Sequence, residues 1–159
     1  MKPSKHLRHS SVILSFVFAG LFLVFLVVVA FLLPSLVENM ISAGDLIGDR
    51  TNLPPALHTL ILVLAYLVLA VAFVAVGILC LILRCVLLEQ VFSSRTVTLL
   101  SGVAWCCFAE GILFFVVGIW FQLAFIVFAA AFFLGLCLRI VGNVIAEATR
   151  YKNENDLTV

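Results

Sequence analysis

The chain has 159 residues, of which 65% are hydrophobic and only 11% are charged. An average soluble domain is about 45–50% apolar and about 25% charged, so this composition excludes a water-soluble globular protein. The formal net charge is +1, without the basic surface that nucleic-acid binding needs, so we expect no direct contact with nucleic acid.

A short basic arm is followed by a long apolar run. Residues 1–10 carry three basic side chains, and residues 11–33 are apolar up to Pro34. A signal peptide has an apolar core of about 7–15 residues and a small-residue cleavage site, and this run matches neither feature. The pattern predicts a retained transmembrane helix over residues 11–33.

The second and longest apolar run follows a polar loop over residues 34–56. Pro54 and Pro55 end that loop, and proline is well suited to the first turn of a helix. The next 27 residues, 57–83, would form a helix about 40 Å long, enough to cross a hydrocarbon layer about 30 Å thick. We therefore predict a second transmembrane helix over residues 57–83.

Two further transmembrane helices are predicted, over residues 97–117 and 123–144. The turn between them, residues 118–122, is very short and contains Trp120, which suits the headgroup level of a bilayer. A connection this short makes the third and fourth helices antiparallel neighbours.

The distribution of lysine and arginine predicts the orientation. Eight of the nine basic residues fall on one side of these four helices, and loop 34–56 holds only Arg50. By the positive-inside rule the basic side is the cytoplasm. The sequence therefore predicts an all-α, polytopic, single-domain bundle of four transmembrane helices in the plasma membrane. Both termini are predicted to be cytoplasmic, so Asp45 and Val159 are expected on opposite sides of the membrane. The lipid bilayer is the first expected partner. A homo-oligomer is compatible with this architecture.

Small residues predict how the third and fourth helices associate. Lipid tails are as apolar as leucine, so transmembrane helices associate by close packing through small side chains. The fourth helix carries such a stripe, with members four or seven residues apart: Ala124, Ala131, Gly135, Gly142 and Ala146. The third helix has two pairs seven apart: Gly111 with Gly118, and Gly102 with Ala109. We expect the contact between these two helices to run along these stripes.

Glu110 is the most informative single residue. It lies 13 residues into the third predicted helix, about 20 Å from its cytoplasmic end, and an acid inside a membrane is a candidate for function. Counted from the outer side, Tyr66 lies at a similar depth on the second helix. We expect Glu110 to face the interior and to hydrogen-bond Tyr66, with Gln122 as a further polar neighbour. Two interpretations stay open: a protonated glutamate that fixes helix packing, and a proton- or cation-binding site.

No pattern of catalytic or metal-binding residues is recognisable. The sequence lacks nucleophile-elbow, zinc-protease and phosphate-loop motifs, so we predict no enzymatic activity and no cofactor. His58 is expected at the outer interface rather than on a metal. The cysteines fall in or near apolar runs and are expected to be free packing residues: Cys80, Cys85, Cys106, Cys107 and Cys137.

The C-terminal end resembles that of a known family. Residues 145–159 are similar to the end of an uncharacterised bacterial membrane family, domain of unknown function 2975, whose small four-helix members end in E-N-D-L-T-[IV] after an amphipathic helix. Residues 91–97 and the pair Trp105-Cys106 also resemble segments of this family. The signature falls on Glu154, Asn155, Asp156, Leu157, Thr158 and Val159.

The resemblance implies a partner rather than a reaction. Members are often encoded beside a small helix-turn-helix regulator of the Cro repressor type, which implies a membrane protein that recruits or restrains such a regulator. From the residues themselves, we expect the last seven to be non-helical, with Leu157 and Val159 alternating as in a strand. This tail can add a strand to a partner's sheet, fold back onto arginines of its own chain, or simply fray.

The function predicted from these observations is that of a non-enzymatic regulatory or accessory membrane protein. It would dock a cytoplasmic partner through residues 84–96 and 139–159. The alternative is a small transporter or toxin-immunity protein that uses Glu110.

Overall fold

The fold is all-α and spans the membrane repeatedly. A computed structural model describes residues 5–42, 55–88 and 93–156. Each of its four helices contains a segment long and apolar enough to cross a membrane. The predicted four-helix membrane fold is therefore confirmed, with these bounds: α1 Lys5–Ser42, α2 Pro55–Leu87, α3 Ser94–Gly118 and α4 Ala124–Asp156.

The helices pack in chain order. Within the described ranges α1 packs against α2, α2 also packs against α3, and α3 makes its most extensive contact with α4. No close backbone approach joins α1 to α3 or α4, or α2 to α4, in that part of the chain. The bundle is thus an open layer in which α1 and α4 form the two edges.

Two apolar clusters hold the layer together. One consists of Leu26 on α1 with Leu69 and Val76 on α2, and it joins the first two helices. The other lies at the end that carries the α3–α4 turn. It is formed by Val37, Ile61, Phe121 and Ala124. Only this second cluster gathers residues from both edges of the layer.

α1 is longer than predicted. The prediction ended the helix at Leu33, because proline interrupts the helical hydrogen-bond ladder. The helix instead passes through Pro34 and ends at Ser42, whose hydroxyl donates to the carbonyl of Glu38 at 2.8 Å. Proline is tolerated within membrane helices where the freed backbone group finds another partner. Residues 43–54 of the predicted loop lie outside the described residues.

α4 also continues beyond its predicted end. Residues 153–156 were expected to be non-helical, and that expectation is wrong because α4 ends at Asp156. Arg150 forms ion pairs with Glu147 at 2.9 Å and with Glu154 at 3.6 Å. Charge pairs spaced by three and four residues stabilise a helix, and no glycine or proline interrupts this segment. Residues 157–159 of the tail lie outside the described residues.

The contact between α3 and α4 depends on glycine, as the small-residue stripe predicts. A side-chain carbon added at Gly135 would lie 3.3 Å from the carbonyl oxygen of Ala104 and 2.9 Å from the ring of Phe108. At Gly111 the same addition would lie 3.7 Å from the carbonyl oxygen of Phe128. Each helix therefore presents a glycine to the backbone of the other. At Gly135 an added carbon would be too close, whereas at Gly111 it would make ordinary van der Waals contact.

The other predicted pair on α3 faces a different helix. Gly102 lies against Ile78 of α2, and Ala109 borders a groove shared with α2. The expectation that this pair packs on α4 is therefore wrong. The two pairs are offset by two residues, which is about 200° around a helix, so they serve opposite neighbours.

A pair of glycine substitutions tests this packing. We expect Gly135→Val to lower the free energy of unfolding by about 1–3 kcal/mol, because the added methyl groups overlap Phe108 and the α3 backbone. Gly77→Val is the matched control, since nothing lies within 4 Å of an added side-chain carbon at Gly77. Unfolding of both variants in mixed micelles, followed by circular dichroism, measures the difference. Equal losses in the two variants would contradict the proposed contact.

Candidate functional site

Tyr66 has a structural partner on α1. Its hydroxyl donates a hydrogen bond to the carbonyl oxygen of Ala30 at 3.4 Å. In an ordinary helix this carbonyl accepts from the N–H of the residue four positions later, which here is Pro34 and has no N–H. Tyr66 therefore supplies the donor that Pro34 cannot supply, to a backbone carbonyl in a hydrophobic environment.

Glu110 and Tyr66 are not brought together. Gly102 lies against Ile78, and in this antiparallel register Glu110 is level with Ala70, whereas Tyr66 lies about one turn further along. The expected hydrogen bond is not formed, because Tyr66 donates to Ala30 instead. Counting depth from the helix ends gave the wrong pairing, since the start of α2 extends about two turns past the level at which α3 ends.

One carboxyl oxygen of Glu110 is enclosed and unpartnered, although the residue as a whole is half-buried. Its Oε2 atom has almost no exposed surface and makes no hydrogen bond to any described residue. Leaving a buried polar group without a partner costs about 1–3 kcal/mol. Cys106 and Cys107 precede Glu110 by one helical turn and both are free thiols.

An apolar cavity begins one helical turn from Glu110 along α3, and Glu110 itself does not line it. Phe114 and Val117 line this cavity, and they follow Glu110 by four and seven residues on the same helical face. The cavity has a volume of about 330 Å³, and all four helices contribute apolar side chains to it. It suits an apolar group, and it presents no second polar side chain that would complete an ion site with Glu110.

The remaining polar candidates are dispersed. Gln122 is exposed in the α3–α4 turn, at least 12 Å from Glu110 by helical rise. His58 is half-buried near the start of α2. In the described ranges no three His, Cys, Asp or Glu side chains are grouped as metal ligands.

The projecting end of α4 carries the described part of the predicted tail. Leu100 of α3 faces Gly142 of α4, so Ser94, where α3 begins, is level with about residue 148. Residues 149–156 extend past that level by about 12 Å, and the first of them, Thr149, is still buried. Tyr151 is 57% exposed there. The predicted docking residues Glu154, Asn155 and Asp156 thus belong to a helix, and Leu157, Thr158 and Val159 lie outside the described residues.

One charged residue was missed by the sequence reasoning as a candidate. Arg139 on α4 places its guanidinium 5.5 Å from the ring centre of Trp105 on α3. Such a cation–π contact contributes about 0.5–2 kcal/mol, less than the cost of about 2.5–3.5 kcal/mol for a basic side chain at the centre of a membrane helix. The sequence does show an arginine within α4 and a tryptophan far from either end of α3, two unusual positions for such residues in membrane helices. Only the packing of the two helices shows that they are in contact.

Comparison with known proteins identifies a family and nothing more specific. The sequence model described as "Protein of unknown function (DUF2975)" matches residues 46–159 of the chain. No curated protein and no solved structure matches this chain.

The role of Tyr66 is tested by a double-mutant cycle with Pro34. We expect Tyr66→Phe to lower the free energy of unfolding by about 0.5–1 kcal/mol, because the Ala30 carbonyl loses its donor. In the Pro34→Ala background the backbone N–H is restored, so the same substitution should cost less than about 0.3–0.5 kcal/mol. Equal costs in both backgrounds would show that Tyr66 does not serve this carbonyl.

The unpartnered state of Glu110 also has a measurable consequence. We expect Glu110→Met to raise the free energy of unfolding by about 1–2 kcal/mol, because it removes a buried polar group that makes no hydrogen bond. Glu110→Gln should change it little, since an amide is equally unpartnered. Ile112→Met, at a residue that is 59% exposed, is the control. A large loss of stability in Glu110→Met would mean that the carboxyl has a partner.

Proposed function

We propose that this chain, which belongs to the DUF2975 family of proteins of unknown function, is a non-enzymatic multi-pass protein of the plasma membrane that docks a cytoplasmic regulatory protein. The observation that carries the proposal is the projecting end of α4, residues 149–156, which continues past the level at which α3 begins. A membrane anchor alone does not require this extension.

The projecting end is prepared for binding. Arg150 is paired with Glu147 and Glu154, so this part of the helix is ordered without a partner. A preorganised element pays less conformational entropy when it binds. Tyr151, exposed beside these charges and 5.6 Å from the Arg150 guanidinium, is a residue type enriched at the centre of protein interfaces.

The charges favour a basic partner. Glu147 and Glu154 lie four residues before and three residues after Tyr151, so two carboxylates border the tyrosine on one helical face. A groove that accepts the tyrosine and carries basic side chains at its rim would complement this surface. DNA-binding regulators have such basic surfaces, which agrees with the helix-turn-helix partner implied by the family resemblance.

A small transporter is the second candidate function. The observation that favours it is the enclosed Oε2 atom of Glu110, one helical turn from the apolar cavity of about 330 Å³. This arrangement would suit a cation with an apolar body. The absence of a second polar group among the lining residues favours the docking function instead.

Site-specific photo-crosslinking distinguishes the two functions. The full chain is expressed in cells with a photoreactive amino acid incorporated at position 151. We expect illumination to give a discrete adduct with a soluble protein. The double substitution Glu147→Lys with Glu154→Lys should abolish that adduct by reversing the surface charge, while Glu110→Gln should leave it unchanged. The adduct is identified by mass spectrometry.

A second crosslinker position provides the control. Phe133 lies mid-way along α4, is 67% exposed and should give no adduct with a soluble protein. If position 151 yields only the pattern seen at position 133, the docking proposal fails. Labelling of cysteines introduced at Asp45 and Val159 tests its premise, because the projecting end must lie on the cytoplasmic side.

A further inference from the structure

Arg139 lies deeper than the other basic residues at its end of the bundle. The contacts of Gly135 with Ala104 and of Gly142 with Leu100 place it level with about residue 103 of α3. That level is about eight residues, or roughly 12 Å of helical rise, inside Arg95. Measured from Ala124 at the opposite end, Arg139 is about 22 Å along α4, short of the ~30 Å hydrocarbon thickness. The Cα atom of Arg139 therefore lies about 8 Å inside the hydrocarbon boundary at the basic end, a depth from which the long arginine side chain reaches the headgroups.

The charge of Arg139 is not neutralised within the described residues. The ion pairs of the described chain are those of Arg150 with Glu147 and Glu154, and Arg139 takes part in neither. Its described contact is with the ring of Trp105, which is itself 61% exposed. An anion stabilises a guanidinium at this depth, and the described residues supply none.

An apolar groove begins beside the same tryptophan. Its volume is about 380 Å³, and Trp105 and Ala109 of α3 border it together with Leu67 of α2. In the register of α2 and α3, Leu67 lies about two turns further than Trp105 from Arg139. From the basic end inward, the surface therefore presents a cation, then an amphipathic ring, and then an apolar channel.

We propose that Arg139, Trp105 and this groove bind one anionic phospholipid of the leaflet at the basic end. The phosphate accepts hydrogen bonds from the Arg139 guanidinium, which forms bidentate contacts with phosphate oxygens. Trp105 lies against the glycerol region, where tryptophan is enriched in membrane proteins. One acyl chain occupies the groove between α2 and α3. The order of charge and apolar surface along the protein is the order of groups along such a lipid.

Quenching of tryptophan fluorescence tests the proposal directly, because the chain has two tryptophans, Trp105 and Trp120, at different depths. The full-length Trp120→Phe protein, in which Trp105 is the single reporter, is reconstituted in phosphatidylcholine vesicles. These contain a fixed fraction of either brominated phosphatidylglycerol or brominated phosphatidylcholine. We expect the anionic lipid to be enriched about fivefold at Trp105, the factor typical of one basic side chain near anionic lipid.

Substitutions assign the preference to Arg139. Arg139→Gln should reduce the enrichment to that of bulk lipid, and Arg139→Lys should retain most of it. Arg150→Gln, which removes an ion-paired arginine beyond the α3 end, should leave it unchanged. The Trp105→Phe protein, with Trp120 as reporter in the α3–α4 turn, should show no preference. Equal quenching of Trp105 by the two brominated lipids overturns the proposal, whether or not the Arg139→Gln protein folds. A preference for the anionic lipid that persists in a folded Arg139→Gln protein also overturns it.

Discussion

The close approach of α3 and α4 is the constraint on which the rest of the structure depends. In lipid, apolar burial does not drive helices together, so association needs backbones that can approach closely. Gly135 lies against the backbone of Ala104, and Gly111 lies against that of Phe128. Phenylalanine rings pack edge to face around these points, with Phe108 and Phe132 5.0 Å apart between ring centres. This pair of helices fixes the register from which the positions of Glu110, Arg139 and the projecting end of α4 follow.

The open arrangement of the helices determines what surface is available. Within the described residues the backbone of α1 closely approaches only α2, and that of α4 only α3. Away from the cluster formed by Val37, Ile61, Phe121 and Ala124, both edges of the layer therefore face lipid or another protein. A closed bundle would bury the groove beside Trp105 and the flank of Arg139. In the open layer both are exposed at the level of one leaflet, while the apolar cavity lined by Phe114 lies on the face that all four helices share.

Three polar residues within the membrane-spanning helices differ in how the cost of placing a polar group in lipid is offset. Tyr66 pairs with a backbone carbonyl freed by Pro34, so its hydroxyl repairs a break in a neighbouring helix. Arg139 lies over an aromatic ring near the headgroups, where the long side chain can reach a polar environment. Glu110 has neither solution, because its Oε2 atom is enclosed and unpartnered. It is therefore the residue whose presence packing explains least.

The fold class could be predicted from the sequence, because length and uninterrupted hydropathy suffice to define membrane helices. The family could also be recognised from it, and the family model matches residues 46–159. The sequence also determined that α3 and α4 are neighbours, since the turn between them is so short. Only the tertiary structure decided which residues meet. Tyr66 pairs with Ala30 rather than Glu110, Gly102 faces α2 rather than α4, and Arg139 reaches Trp105. These outcomes depend on the relative shift and rotation of whole helices, and a displacement of one turn changes every pair while leaving each helix's own pattern of residues unchanged.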